Sequence, residues 1–220
     1  LRTHTLEPPY VDEGFYPLYW DYGGDAVIDT LKKIRLTPDY PGRQGWVWST
    51  HFLPADTWKV EFEFRISGKG SYLYGDGIAF WATTDRIIEG PVFGSKDYFK
   101  GLGVFFDTYS NAQHPYTFPR VSAMVGDGRT PYDHSNDGEA HSIGGCSAYF
   151  RGTEKPVKAS ITYLKNKFLQ VRMMVDKDTW EDCFTATNVT LPNNLYMGFS
   201  AHTGDISDNH DLISVKTQSM

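Results

Sequence analysis

Lys59 to Ile66 alternates strictly, with Val60, Phe62, Phe64 and Ile66 on one face and Glu61, Glu63 and Arg65 on the other. That period of two predicts a strand with one buried face. Val157, Ala159, Ile161 and Tyr163 repeat the pattern, and Leu169, Val171, Met173 and Val175 follow beyond the turn-like Lys165-Asn166-Lys167, so the two runs predict a hairpin. Gly77 to Ala82, Gly101 to Phe106 and Tyr196 to Ala201 are apolar on both faces, as central strands covered on two sides are. Turn residues separate these runs at Ser67-Gly68-Lys69-Gly70, Gly126-Asp127-Gly128 and Pro192-Asn193-Asn194. The pattern predicts an all-β antiparallel sandwich of roughly a dozen strands. One segment departs from it. Val27, Ile28, Leu31 and Ile34 fall at i, i+1, i+4 and i+7, which periodicity alone reads as an amphipathic helix.

Composition agrees with short strands and tight turns. The 220 residues include 14 Tyr, 14 Phe, 6 Trp, 21 Gly and 12 Pro. No repeat, low-complexity tract or linker divides residues 1–220, so a single domain is expected, large enough to bury its own core. The net charge of −6 and the lack of any basic run exclude a nucleic-acid or anionic-lipid footprint. No apolar stretch reaches the roughly 20 residues of a membrane span, and Leu1 to Tyr10 does not have the form of a signal peptide. The reading is a soluble domain without direct membrane contact. Two cysteines, Cys146 and Cys183, are compatible with one bridge, and Asn188-Val189-Thr190 is an N-glycosylation acceptor pattern. Together they suit an oxidising, secretory compartment.

Candidate chemistry sits where the buried runs end. Gly75-Asp76-Gly77 places an acid at the mouth of a core strand, Phe106 runs into Asp107-Thr108-Tyr109-Ser110-Asn111, and Tyr132 to Gly138 forms a third polar loop. Carboxylate, amide and carbonyl oxygens are what calcium takes, about six to eight of them, and Asp107, Asn111 and Asp137 could supply them. Asp133, Ser135, Asp137 and Gly138 start like an EF-hand loop, but its twelfth position is Gly144 where a bidentate Glu is required. Zinc is disfavoured by scattered histidines. A further acidic loop runs from Gly204 through Asp205, Asp208 and Asp211. There is no Gly-x-Ser-x-Gly elbow and no phosphate-cradling glycine loop. Glycoside hydrolysis needs only two carboxylates across a groove. Glu61 and Glu63 share a strand face, which reads more simply as solvated.

Taken in order, Arg35-Leu36-Thr37-Pro38-Asp39, Gly75-Asp76-Gly77-Ile78-Ala79, Gly90-Pro91-Val92-Phe93-Gly94, Phe106-Asp107-Thr108-Tyr109, Tyr132-Asp133-His134 and Thr203 to Asp211 resemble the L-type lectins. These are the legume-lectin-like mannose binders of the early secretory pathway, and the likeness is greatest to the vesicular integral-membrane subgroup. The resemblance implies a concanavalin-like jelly roll with calcium and sugar on its concave sheet, and it assigns Val27 to Ile34 to strand. It implies one calcium ion held by Asp107, the Tyr109 carbonyl, Asn111 and Asp137, since Ser110 and Ala112 stand where a related cargo receptor carries extra acids. It implies mannose contacts from Asp76, Asn111, His134, the main chain of Gly204 and Asp205, and Ile206. In that reading Asn111 gives its amide oxygen to the ion and its nitrogen to the sugar. A cis peptide is implied between Gly75 and Asp76, and a disulfide between Cys146 and Cys183. Gly42 stands where the family usually has a serine contact, while Asp205 matches the subgroup that accommodates a second, α1,2-linked mannose. The implied role is non-enzymatic binding of high-mannose glycoproteins between endoplasmic reticulum and Golgi, with a single-pass type I anchor outside these residues. A concanavalin-like glycosidase and a protein-binding sandwich are the alternatives.

Overall fold

The computed structural model describes all residues from Leu1 to Met220. Fourteen strands follow in chain order: β1 (Trp20–Gly24), β2 (Val27–Asp29), β3 (Lys33–Thr37), β4 (Gln44–Phe52), β5 (Thr57–Ser67), β6 (Gly77–Thr83), β7 (Lys100–Asp107), β8 (Arg120–Asp127), β9 (Gly144–Ser147), β10 (Val157–Leu164), β11 (Phe168–Met174), β12 (Glu181–Thr187), β13 (Tyr196–His202) and β14 (Asn209–Gln218). Helix is confined to three short 3₁₀ turns, at Arg2–His4, His134–Asn136 and Glu139–His141. A front sheet runs β1-β4-β13-β6-β7-β8-β9 and a back sheet β12-β11-β10-β5-β14-β3-β2. Every strand pair is antiparallel.

The alternating strand behaves as its pattern predicts. Trp58, Val60, Phe62, Phe64 and Ile66 of β5 are fully buried, and Phe62 stacks on Phe80 of β6 while meeting Phe106 and Phe199 edge-on. These rings anchor a core of 37 buried residues between the sheets. Glu61 and Glu63, on the opposite face of β5, pair with Lys59 and Lys158. The predicted hairpin is β10 and β11, in register from Lys158↔Met174 to Leu164↔Phe168, with Asn166 left-handed in its turn (φ 61°).

The doubly apolar runs have a second cause besides the core. Trp48, Ala79, Trp81, Phe105 and Met124 lie on the outer face of the front sheet and form a separate buried cluster with Val92, Phe93, Phe99 and Tyr132. The connection after β6 therefore folds back as an apolar lid.

The helix predicted by periodicity over Val27 to Ile34 is absent. Ile28 pairs with Ile34 across β2 and β3, and the carbonyl and side chain of Asp29 accept the N–H groups of Lys32 and Leu31 in the turn between them. Val27 and Leu31 are 63% and 81% exposed, so the apparent apolar stripe buries only its last member. Cys146 of β9 bonds Cys183 of β12 with their Cα atoms 5.2 Å apart, linking an edge of the front sheet to an edge of the back sheet.

Candidate functional site

Sheet register brings three distant strand ends together. Gly77 pairs with both Asp107 and His202, so the segments before β6, after β7 and after β13 converge. Asp76 is pinned at their centre: its N–H donates to the His202 carbonyl (3.0 Å), and its carbonyl accepts the Thr108 N–H and hydroxyl (3.1 Å each). The Gly75–Asp76 peptide is cis. Crowding requires glycine at Gly77 and leaves little room at Gly75. A Cβ on Gly75 would sit 3.2 Å from Ile206 and Tyr109, and one on Gly77 (φ +143°) would lie 2.2 Å from the Phe106 carbonyl oxygen. The Asp76 carboxylate takes a 2.6 Å hydrogen bond from His202 Nδ1.

These segments surround a cavity of about 340 Å³ lined by Asp76, Asp107, Tyr109, Asn111, His134, Asp205 and Ile206, with Pro91, Phe93 and Tyr132 from the lid and third loop. One wall carries the buried acid Asp107, with Asp137 beyond it, outside the lining and bonded to Asn111. Asp107 and Asp137 are 5% and 6% exposed. Burial pushes the Asp107 carboxyl well above the usual carboxylate range; the Tyr109 N–H partly offsets this, and the charges of Asp137 and Asp76 add to it. Burial likewise raises the Tyr132 hydroxyl, with Asp107 and Asp137 contributing.

Asp137, itself left-handed (φ 56°), accepts the Asn111 N–H on both oxygens at 3.0 Å, Asn111 Nδ2 at 2.8 Å and His114 Nε2 at 2.8 Å. The amide nitrogen of Asn111 thus faces Asp137, whereas the resemblance implies that its oxygen faces the ion. A half-turn of the amide plane exchanges the two atoms. The buried carboxylates of Asp107 and Asp137 and the amide of Asn111 are oxygen donors of the type calcium takes. The strain on Asp107 is of the kind a divalent cation relieves, so the residues fit calcium.

The remaining expected contacts arrange differently from one another. His134 reaches the cavity, is 3.2 Å from Asp97 through Nε2, and lies edge-on to Tyr132. Asp205 and Ile206 line the cavity directly. Gly204 does not, and both its main-chain groups have internal partners: its N–H donates to the Ile206 carbonyl (3.1 Å) and its carbonyl accepts the Gly42 N–H (3.0 Å). Gly42 also stands outside the cavity lining. Its φ is +68°, and an added Cβ would meet nothing within 4 Å. Backbone conformation therefore disfavours serine there, although space does not. The other acids of the last loop face away. Asp208 is held bidentately by Arg151 (2.9 and 2.8 Å) and Asp211 by Arg35 (2.8 and 3.1 Å).

Three residues that sequence reasoning did not single out support this wall. His202 orients Asp76. Asp97 joins His134 to the Tyr132 N–H, which it accepts at 2.8 Å. His114 is inserted between Asp137 and Glu139, 2.8 Å from each, with its ring stacked on Tyr116 and Phe118. The period-two run His114, Tyr116, Phe118 ahead of β8 is the signal that would have found it.

The sequence matches the legume-like lectin family over residues 1–220. It is 41% identical over 219 residues to the human vesicular integral-membrane protein VIP36, covering 98% of this chain and 61% of the relative. An L-type lectin-like domain-containing protein of Schizosaccharomyces pombe is also 41% identical, with 100% and 71% covered. The chain thus spans less than two thirds of VIP36. Among solved structures, the VIP36 exoplasmic/lumenal domain in its Ca²⁺/Man2-bound form superposes with a TM-score of 0.94 at 40% identity, covering 100% of this chain and 89% of that one. The Emp47p carbohydrate recognition domain shares the fold, with a TM-score of 0.81 at 21% identity over 100% of this chain and 96% of that one. The chain belongs to the legume-like lectin family.

Proposed function

We propose that residues 1–220 form a single carbohydrate-recognition domain that binds high-mannose N-glycans in a calcium-dependent manner, without catalysis. The observation that carries this reading is the cavity lined by Asp76, the buried acid Asp107 and Asn111, with the buried Asp137 bonded to Asn111 just outside the lining. VIP36 supports it, having been solved with Ca²⁺ and mannose and with Ca²⁺ and Man3GlcNAc. Asp107, the Tyr109 carbonyl, Asn111 and Asp137 would hold one calcium ion, whose charge relieves the repulsion between the two buried acids. The chain's own groups do the recognition. A mannose hydroxyl donates one hydrogen bond and accepts two, so Asp76, oriented by His202, accepts, while the Asn111 amide and the main-chain N–H of Asp205 donate. His134 offers a further ring nitrogen, and Ile206 packs against the apolar face of the sugar. Asp205 favours a second, α1,2-linked mannose. Because the loops are hydrogen-bonded to one another before ligand arrives, little ordering cost remains for binding.

Glu61 and Glu63 lie on the back sheet in lysine pairs, away from the cavity. The proposed partners are high-mannose glycoproteins in transit. The disulfide and the lumenal domain of VIP36 support the lumen of the secretory pathway as the location. The finer placement, on membranes between endoplasmic reticulum and Golgi through a single-pass type I anchor outside these residues, is part of the same proposal. No helix of the chain is long and apolar enough to cross a membrane. Calorimetry with α1,2-mannobiose tests the reading. Heat of binding is expected in calcium and none in chelator; equal binding in both, or none in either, overturns it.

A further inference from the structure

We propose that Asn188 carries an N-linked oligomannose glycan and that this glycan docks into the cavity of a second copy of the chain. The inference rests on the mannose-binding reading above and names a partner for that same cavity. Asn188-Val189-Thr190 follows the end of β12, with Asn188 and Thr190 exposed. The main chain around the acceptor is fixed. The Asn188 N–H donates to the Lys167 carbonyl (2.9 Å), the Asn166 N–H donates to the Val189 carbonyl (3.0 Å), and the Val189 side chain is buried. Asn188 itself is left-handed (φ 59°), so the acceptor stands on a rigid turn with its side chain in solvent.

Its position decides which cavity a glycan can reach. Thr187 pairs with Phe168, Phe168 with Leu164, and Leu164 with Thr57. Asn188 therefore lies at the Thr57 end of the back sheet. The cavity loops lie at the other end, where Gly68, just past the last residue of β5, packs against Asp39 and Asp208. The eleven residues of β5, at about 3.3 Å each, separate the two poles by on the order of 30 Å. Asn188 also follows the outermost strand of the back sheet, whereas the cavity opens on the front sheet. A glycan serving its own cavity would have to run the length of the sandwich and turn round its edge. One serving a neighbour's cavity meets no such constraint. Each copy presents one glycan and one cavity at opposite poles, so the contact is heterologous and copies associate head to tail. Such association would compete with glycoprotein ligands and would end when the terminal mannoses are trimmed.

The test uses residues 1–220 secreted by a eukaryotic host that retains oligomannose glycans, with intact mass measured before and after endoglycosidase H and sedimentation velocity run in calcium. The expected result is a mass loss on digestion, together with a concentration-dependent shift to heavier species. That shift should be lost on digestion, in chelator, with excess α1,2-mannobiose, and in both Asn188→Gln and Thr190→Ala. Two variants that remove the acceptor pattern at different atoms separate loss of the glycan from local damage. An unmodified Asn188, a glycosylated chain that stays monomeric, or oligomers that persist in both variants overturns the proposal, provided Asn188→Gln still binds mannobiose. If Asn188→Gln fails to bind mannobiose in calcium while remaining folded, the mannose-binding reading falls and this inference with it.

Discussion

Asp76 and Asp107 are adjacent in space, yet their chemistry differs because one meets a histidine and the other meets buried acids. Asp76→Ala should remove a charged hydrogen-bond acceptor from the sugar, worth about 1.5–3 kcal/mol, and so weaken mannobiose about 10- to 100-fold in calorimetry while calcium still binds. Equal loss of both would contradict the division of roles. His114 is not expected to touch either ligand, but it holds Asp137 from behind; removing such a support costs roughly 10- to 100-fold in metal affinity. His114→Phe keeps the stack with Tyr116 and Phe118 and should show that loss in a calcium titration, with His114→Gln recovering part of it. The polar segments bearing Asp76, Asp107 and Asn111 were legible in the sequence because they close apolar runs, while the roles proposed for them and for Asp137 come from the family resemblance. His202 and Asp97 were not legible, since their partners lie 126 and 37 residues away and no local pattern announces them, while His114 was marked only by the short alternation His114, Tyr116, Phe118. Acid sensitivity also originates at single residues. Burial, aided by His202 and Arg151, pushes the fully buried His210 down to about 3, and burial lowers His4 as well. His210 is held neutral in the fold but protonates near 6.5 when unfolded, so the unfolded chain binds more protons below that pH, and His4 acts in the same direction. Stability should fall by up to about 1.4 kcal/mol per pH unit below 6.5 through His210. Urea midpoints at pH 7 and 5 check this, and His210→Gln, which forms no cation, should flatten the dependence.

At the scale of elements, period-two alternation identified β5, β10 and β11 because each has one face on the core and the other toward solvent. The failure over Val27 to Ile34 has a physical origin. β2 is a three-residue edge strand, too short for its alternation to register, and its apolar residues partly face solvent. The doubly apolar strands were read correctly as covered, but nothing in the pattern said that the cover on one side is the lid bearing Phe93 rather than a third layer. Trp81 is the test of that lid. It is fully buried, meets Phe99 and Phe105 edge-on, and donates through Nε1 to the Ser200 hydroxyl (2.7 Å). Trp81→Ala should cost about 3–5 kcal/mol, read as a lowered thermal midpoint. Phe93→Ala should loosen the lid at the cavity and raise mannobiose dissociation more than it lowers stability.

Across the whole molecule, the disulfide joins the sheets at one end of each strand order and closes a 37-residue separation. Loop-entropy arithmetic gives it roughly 4 kcal/mol, in a model-dependent way. The double variant Cys146→Ser/Cys183→Ser should unfold at lower denaturant by about that amount. The strand order carries a further consequence. β14, the last strand, lies between β5 and β3 in the middle of the back sheet, and its start anchors Asp208 and Asp211 to Arg151 and Arg35. A chain emerging from the ribosome has Asp76 and Asp107 long before it has that strand, and non-local pairing of this kind forms late. The proposed sugar recognition would therefore be acquired only once β14 slots into the back sheet, so a nascent copy still lacking that strand would be blind to the glycoproteins around it.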